Sequence, residues 1–142
     1  MSMSFQEKST WVSLVVAILI FGSYFTIAFR ELSDPDADNP KIIGFFVIAI
    51  VLMVIIEIVL HISLAIAFRK DAEKAADERD NLIELKATRI SYFVLAFGVW
   101  IASISILMVE SLLAMVNIIM FFFVLAEIVG STTQLLYYRR GV

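Results

Sequence analysis

Most of the chemistry this sequence can do rests on two glutamates and its single histidine. Glu57 and His61 stand four residues apart in one apolar run, and Glu127 lies in another. On a helix that spacing stacks Glu57 and His61 on one face, a turn apart. Sliding the chain by 70 residues lays Glu57-Ile58-Val59 on Glu127-Ile128-Val129, and Arg69-Lys70 on Arg139-Arg140. Each glutamate therefore precedes a basic pair by twelve residues, which is about 18 Å of helix at about 1.5 Å per residue. If the arginines mark a membrane surface, both carboxylates lie near mid-bilayer at equal depth. Such a group is costly there unless it is protonated or paired. Glu57, His61 and Glu127 thus form a candidate proton- or cation-binding site, with His61 as proton partner.

Two other readings compete. The glutamates, with Asn117 and Gln134, can serve as hydrogen-bonding glue between helices or subunits. A metal site is the third reading, and a poor one. Glu57, His61 and Glu127 supply only three ligands, and Glu-x-x-x-His differs from the Glu-x-x-His spacing of di-iron bundles. With no cysteine and one histidine, thiolate metal centres, disulfides and bis-histidine haem are excluded within one chain. No metal or cofactor is expected. No phosphate loop, nucleophile elbow or His-Glu-x-x-His is present either, so no catalytic residues are assigned and an enzyme is not expected.

Glu127 belongs to a longer polar line. Alternating steps of three and four give Asn117, Met120, Val124, Glu127, Ser131, Gln134 and Tyr138, and five of these seven are polar. That period is the packing seam of a left-handed helix pair. The matching line through Glu57 is Val47, Ile50, Val54, Glu57, His61, Leu64 and Phe68. It carries a polar island of two residues at the same level.

The elements that must position these residues are membrane spans. The chain has 142 residues, 61% hydrophobic and 18% charged, with a mean hydropathy of +0.95. Soluble domains are about 45–50% apolar. A hydrocarbon core needs about 20 apolar helical residues, and four stretches qualify: 11–29, 42–68, 90–109 and 112–138. The fold class is therefore all-α, a four-helix transmembrane bundle in a single domain, with the lipid bilayer as its first partner. The first span is expected to be retained, because it is longer than a signal-peptide core and no cleavage pattern follows it. The glutamate repeat further implies two tandem helical hairpins related by an axis along the membrane normal. Gly22, Gly98 and Gly130 permit close helix approach without forming Gly-x-x-x-Gly, while Trp11, Tyr24, Tyr92, Tyr137 and Tyr138 include interfacial aromatic positions.

Lys and Arg set the orientation. Arg69, Lys70, Lys74, Arg79, Lys86, Arg89, Lys8, Arg139 and Arg140 fall on one side and only Arg30 and Lys41 on the other, nine against two. Both termini and the central connection are then cytoplasmic, N-in and C-in. That connection, 69–89, is expected to extend spans two and three as helices meeting near Asp80-Asn81. In the connection 30–41, Asn39 can cap the second helix ahead of Pro40. Its Asp34, Asp36 and Asp38 lack the glycine and final glutamate of a calcium loop, since Asn39 and Phe45 stand there, and read as a solvated turn. Glu110 is placed near the outer surface. The net charge of −3 gives no basic field for nucleic acid.

The run Asp77-Glu78-Arg79-Asp80-Asn81-Leu82-Ile83-Glu84-Leu85-Lys86, with Ala126-Glu127 and Tyr138-Arg139-Arg140-Gly141, resembles a family of small bacterial four-span inner-membrane proteins. In those proteins an Asp-Glu-Arg-Asp segment followed by Ile-Glu precedes the third span. The resemblance covers mainly residues 77–142. It implies a multipass protein of the bacterial inner (plasma) membrane and assigns no residue a role. The expected function is small proton- or cation-linked transport or ion binding. The alternative is a non-catalytic membrane subunit or regulatory partner whose polar seam holds a complex together. Four spans leave little room for a closed pathway, so a homo-oligomer is expected, and a larger membrane-protein partner belongs to the alternative.

Overall fold

The computed structural model describes residues 4–32, 39–69, 78–109 and 112–140. They form four helices: α1 (Phe5–Leu32), α2 (Asn39–Ala67), α3 (Glu78–Val109) and α4 (Leu112–Arg140). Each is long and apolar enough to cross a membrane. Among the described residues there is no strand. The chain is a four-helix multipass membrane protein. The aspartate turn at 33–38, part of the central connection (70–77), Glu110 and Gly141 lie outside the described residues.

Local sequence fixes the helix ends. Ser4 caps α1 by accepting the Glu7 backbone N–H at 3.1 Å, and Ser-x-x-Glu is a capping-box sequence. Pro40 falls in the first turn of α2, where its missing N–H breaks no helical bond. Glu78 and Asp80 open α3 and Arg139 and Arg140 close α4, each sign complementing the helix dipole. The helical extension of the third span is present over 78–89. Its expected meeting point near Asp80-Asn81 falls instead inside the first turn of α3, because α2 already ends at Ala67.

Packing is uneven. Helix α1 is central and buries Leu14, Val16, Ala17, Phe21, Tyr24 and Ala28. It lies between α2 and α4, and α3 packs on the far side of α4, so the spatial order is α2–α1–α4–α3. The closest pair is α3 with α4, where small residues let the backbones approach. A Cβ on Gly98 would collide with Phe122, and one on Gly130 would collide with the Ser91 hydroxyl. Ser91 Oγ also donates to the Ala126 carbonyl at 2.9 Å. By contrast α2 leans on α1 alone, with only slight contact to α3 and α4. An axis relating two equal hairpins would join α2 to α3 as α1 joins α4, and the α2–α3 contact is only slight. The exposed isoleucines of α2 (Ile48, Ile55, Ile62 and Ile66) suit lipid.

Candidate functional site

One groove, about 620 Å³ in volume, runs between α2 and α4 with α1 as its floor. Glu57 lines it from α2, Glu127 from α4 and Ser13 from α1. The lines of α2 and α4 flank this groove and make only slight direct contact. Both lines face α1, and the two carboxylates line the groove from α2 and from α4.

Glu57 is the better anchored of the two. Ser13 Oγ donates to its Oε2 at 3.0 Å. His61 Nδ1 stands 3.1 Å from the same oxygen and 2.8 Å from the Glu57 carbonyl. The other ring nitrogen, Nε2, is 3.5 Å from Ser13 Oγ. Ser13 has one hydroxyl proton and faces two acceptors, so it can turn from the carboxylate to the imidazole without any movement of helix backbone. These contacts form a short chain of polar groups joining two helices. The second carboxylate oxygen, Oε1, is buried and without a hydrogen-bond partner among the described residues. Leaving a buried carboxylate oxygen unpaired is costly.

Glu127 makes no hydrogen bond and no ion pair among the described residues, and it is exposed on the groove wall. Ser131, one turn further on, lines the same groove. No group of three His, Asp or Glu side chains converges on a metal position among the described residues. Glu57 and Glu127 share the groove, His61 stands against Glu57, and the three do not form a coordination sphere.

The rest of the α4 seam is held by α1. Asn117 Oδ1 accepts the Tyr24 hydroxyl at 2.9 Å, and Gln134 Oε1 accepts the Thr10 hydroxyl at 2.9 Å. Val124 is buried against Ala17 and Phe21, with Met120 packed on them. Tyr138 lies in a polar pocket of about 210 Å³ with Thr10, Asp80, Glu84 and Gln134, and its hydroxyl bonds to Asp80. The polar side chains thus form a lane from that pocket through Thr10 and Gln134 to Ser13, Ser131 and the glutamates. Beyond them, toward Tyr24 and Asn117, the packing is apolar: Phe21, Phe25, Met120 and Val124.

Several of these residues stand outside the expected site. Ser13, Thr10 and Tyr24 supply the other half of three contacts, and their signal lies in the sequence. Steps of three and four along the first span, in a less regular order than in α4, give Thr10, Ser13, Ala17, Phe21, Tyr24 and Ala28. Tyr24, grouped by its sequence with the interfacial aromatics, is buried in the packing of α1 instead. At the end bearing the central connection, basic groups do sit on aromatic rings. Lys8 Nζ is 3.7 Å from the centre of the Phe68 ring, and the Arg139 guanidinium is 5.8 Å from that of Trp11. The opposite end is joined by a Lys41–Glu31 ion pair at 3.0 Å. No protein-family model, no curated protein and no solved structure matches this chain.

Proposed function

We propose that this protein binds, and passes across the bilayer, a proton or small cation at Glu57 and Glu127, with Ser13 and His61 as the relay that loads Glu57. One observation carries the reading: two carboxylates from different helices line a single groove at mid-span, and among the described residues no donor meets Glu57 Oε1 or the Glu127 carboxylate. Groups of this kind cost stability, and they persist at the centre of a membrane protein where they perform a task. The polar lane toward Thr10, Gln134 and Tyr138 gives one route to the site. We place that end in the cytoplasm, with both termini, on the charge bias of the connections, and we place the protein in a bacterial inner membrane on the family resemblance. No catalytic role is assigned to any residue.

Reconstituted liposomes with a trapped pH indicator test this reading. Wild-type chain should dissipate an imposed proton or cation gradient, and the Glu57→Gln/Glu127→Gln double variant should not. Equal rates for both proteins overturn it. A second reading has its own support. Because α2 is held by α1 alone, a further copy or a larger membrane partner could complete the bundle, with the chain acting as a non-catalytic subunit. A stoichiometric partner that survives purification and is lost with substitutions on α2 favours that reading, while a self-contained assembly favours transport.

A further inference from the structure

The groove is far larger than a proton or a bare ion needs. Its volume, about 620 Å³, lies within the span of about 300–1,000 Å³ that holds small organic molecules. Most of its wall is apolar and adaptable: Phe21 on the floor, Met53 and Val54 on one side, Met120 and Phe123 on the other. Aromatic faces attract a cationic centre, and methionine reshapes itself around irregular apolar bodies. The charge of the groove is one-sided. His61 faces Glu57, and even when it carries a proton, one of the two carboxylates is left uncompensated. Two basic side chains at the end bearing the central connection are engaged elsewhere, Lys8 on Phe68 and Arg139 on Trp11. With slight contact between α2 and α4, the groove is open lengthwise, so an amphipathic molecule can enter from the bilayer.

We infer that the groove binds an organic cation, an ammonium or phosphonium centre on an apolar body, with the centre at Glu57 and Glu127 and the body against Phe21, Met53, Met120 and Phe123. This rests on the reading of the two glutamates as a proton or cation site and names its second ligand class. A cation that displaces the protons of the carboxylates would be exchanged for them across the membrane.

The test is equilibrium binding of radiolabelled tetraphenylphosphonium to the full chain in lipid nanodiscs, with excess unlabelled compound defining saturable binding. Wild type should bind saturably. Tetramethylammonium, which has charge without a body, and triphenylphosphine oxide, which has a body without charge, should both compete poorly. Glu57→Gln and Glu127→Gln should each weaken binding by about ten- to a hundredfold, the range of a charge-assisted contact. Glu127→Asp, which keeps the charge, should retain it, and Val54→Trp should weaken it by filling the groove with both carboxylates in place. Helical circular dichroism and elution volume establish that each variant is folded. No saturable binding to wild type, or binding undiminished in the folded double glutamine variant, overturns the inference. Glutamate-dependent proton flux without tetraphenylphosphonium binding overturns this inference and leaves the proton reading standing. Absence of both binding and flux overturns the two together.

Discussion

Replacing Gly98 by alanine adds one methyl group where α3 closely approaches α4. The new Cβ would overlap Cβ, Cγ and Cδ1 of Phe122. Because Phe122 Cβ is fixed to its backbone, no rotamer change clears the overlap, and α3 and α4 must move apart. Overpacking of this kind costs about 1–3 kcal/mol. Separation also stretches the Ser91–Ala126 bond of 2.9 Å, and interhelical bonds in membranes are worth about 0.6 kcal/mol on average and at most about 1.7. The expected loss is therefore about 2–4 kcal/mol. Two comparisons isolate the cause. Gly22→Ala, with nothing within 4 Å of the added atom, should change stability by no more than about 0.5 kcal/mol. Gly130→Ala meets chiefly the Ser91 hydroxyl, and the Ser91 Cβ is 3.5 Å away. The Gly130→Ala/Ser91→Ala double variant should thus recover much of what Gly130→Ala loses, a coupling that a double-mutant cycle measures. The assay is unfolding of the purified chain by dodecyl sulfate in mixed micelles, followed by circular dichroism. Gly98→Ala as stable as Gly22→Ala would refute the close approach of α3 and α4.

The other expectations concern the polar contacts of α1. Tyr24→Phe removes the hydroxyl bonded to Asn117 and should cost about 0.6–1.7 kcal/mol in the same unfolding assay, with gradient dissipation unchanged. Ser13→Ala removes the relay hydroxyl while leaving both carboxylates, so liposome flux should slow and Ser13→Thr should restore it. Lys41→Ala breaks an ion pair whose lysine is half exposed; exposed pairs contribute about 0–1 kcal/mol, and a shift in unfolding midpoint beyond that range would show the pair to be more than superficial.

The fold was legible because each span is an apolar run of membrane length bounded by charge, and no soluble alternative could hide four such faces. The glutamates were legible for a related reason, since a charge inside such a run stands out by type alone. The identity of the central helix was not. In α1 the seam is marked by hydroxyls and small residues (Thr10, Ser13, Ala17) that look ordinary in an apolar run, whereas Asn117, Gln134 and Glu127 advertise the matching line in α4. Ser13 in particular gains its meaning only from Glu57 and His61, which lie 44 and 48 residues away along the chain. The repeat of glutamate and arginine suggests equal depth but gives no sign of unequal packing. Gly98 and Gly130 tighten α3 on α4, and α2 has neither a glycine so placed nor a polar line of its own beyond Glu57 and His61.

The central claim is that Glu57 and Glu127 act as one site, and flux through the single and double glutamine variants tests it most directly. Groups that act as a unit are non-additive. In liposomes, Glu57→Gln alone and Glu127→Gln alone should each abolish gradient dissipation, and the double variant should lose no more than either. Partial losses that multiply in the double variant would show two independent groups, and undiminished flux in either folded single variant would contradict a shared site outright.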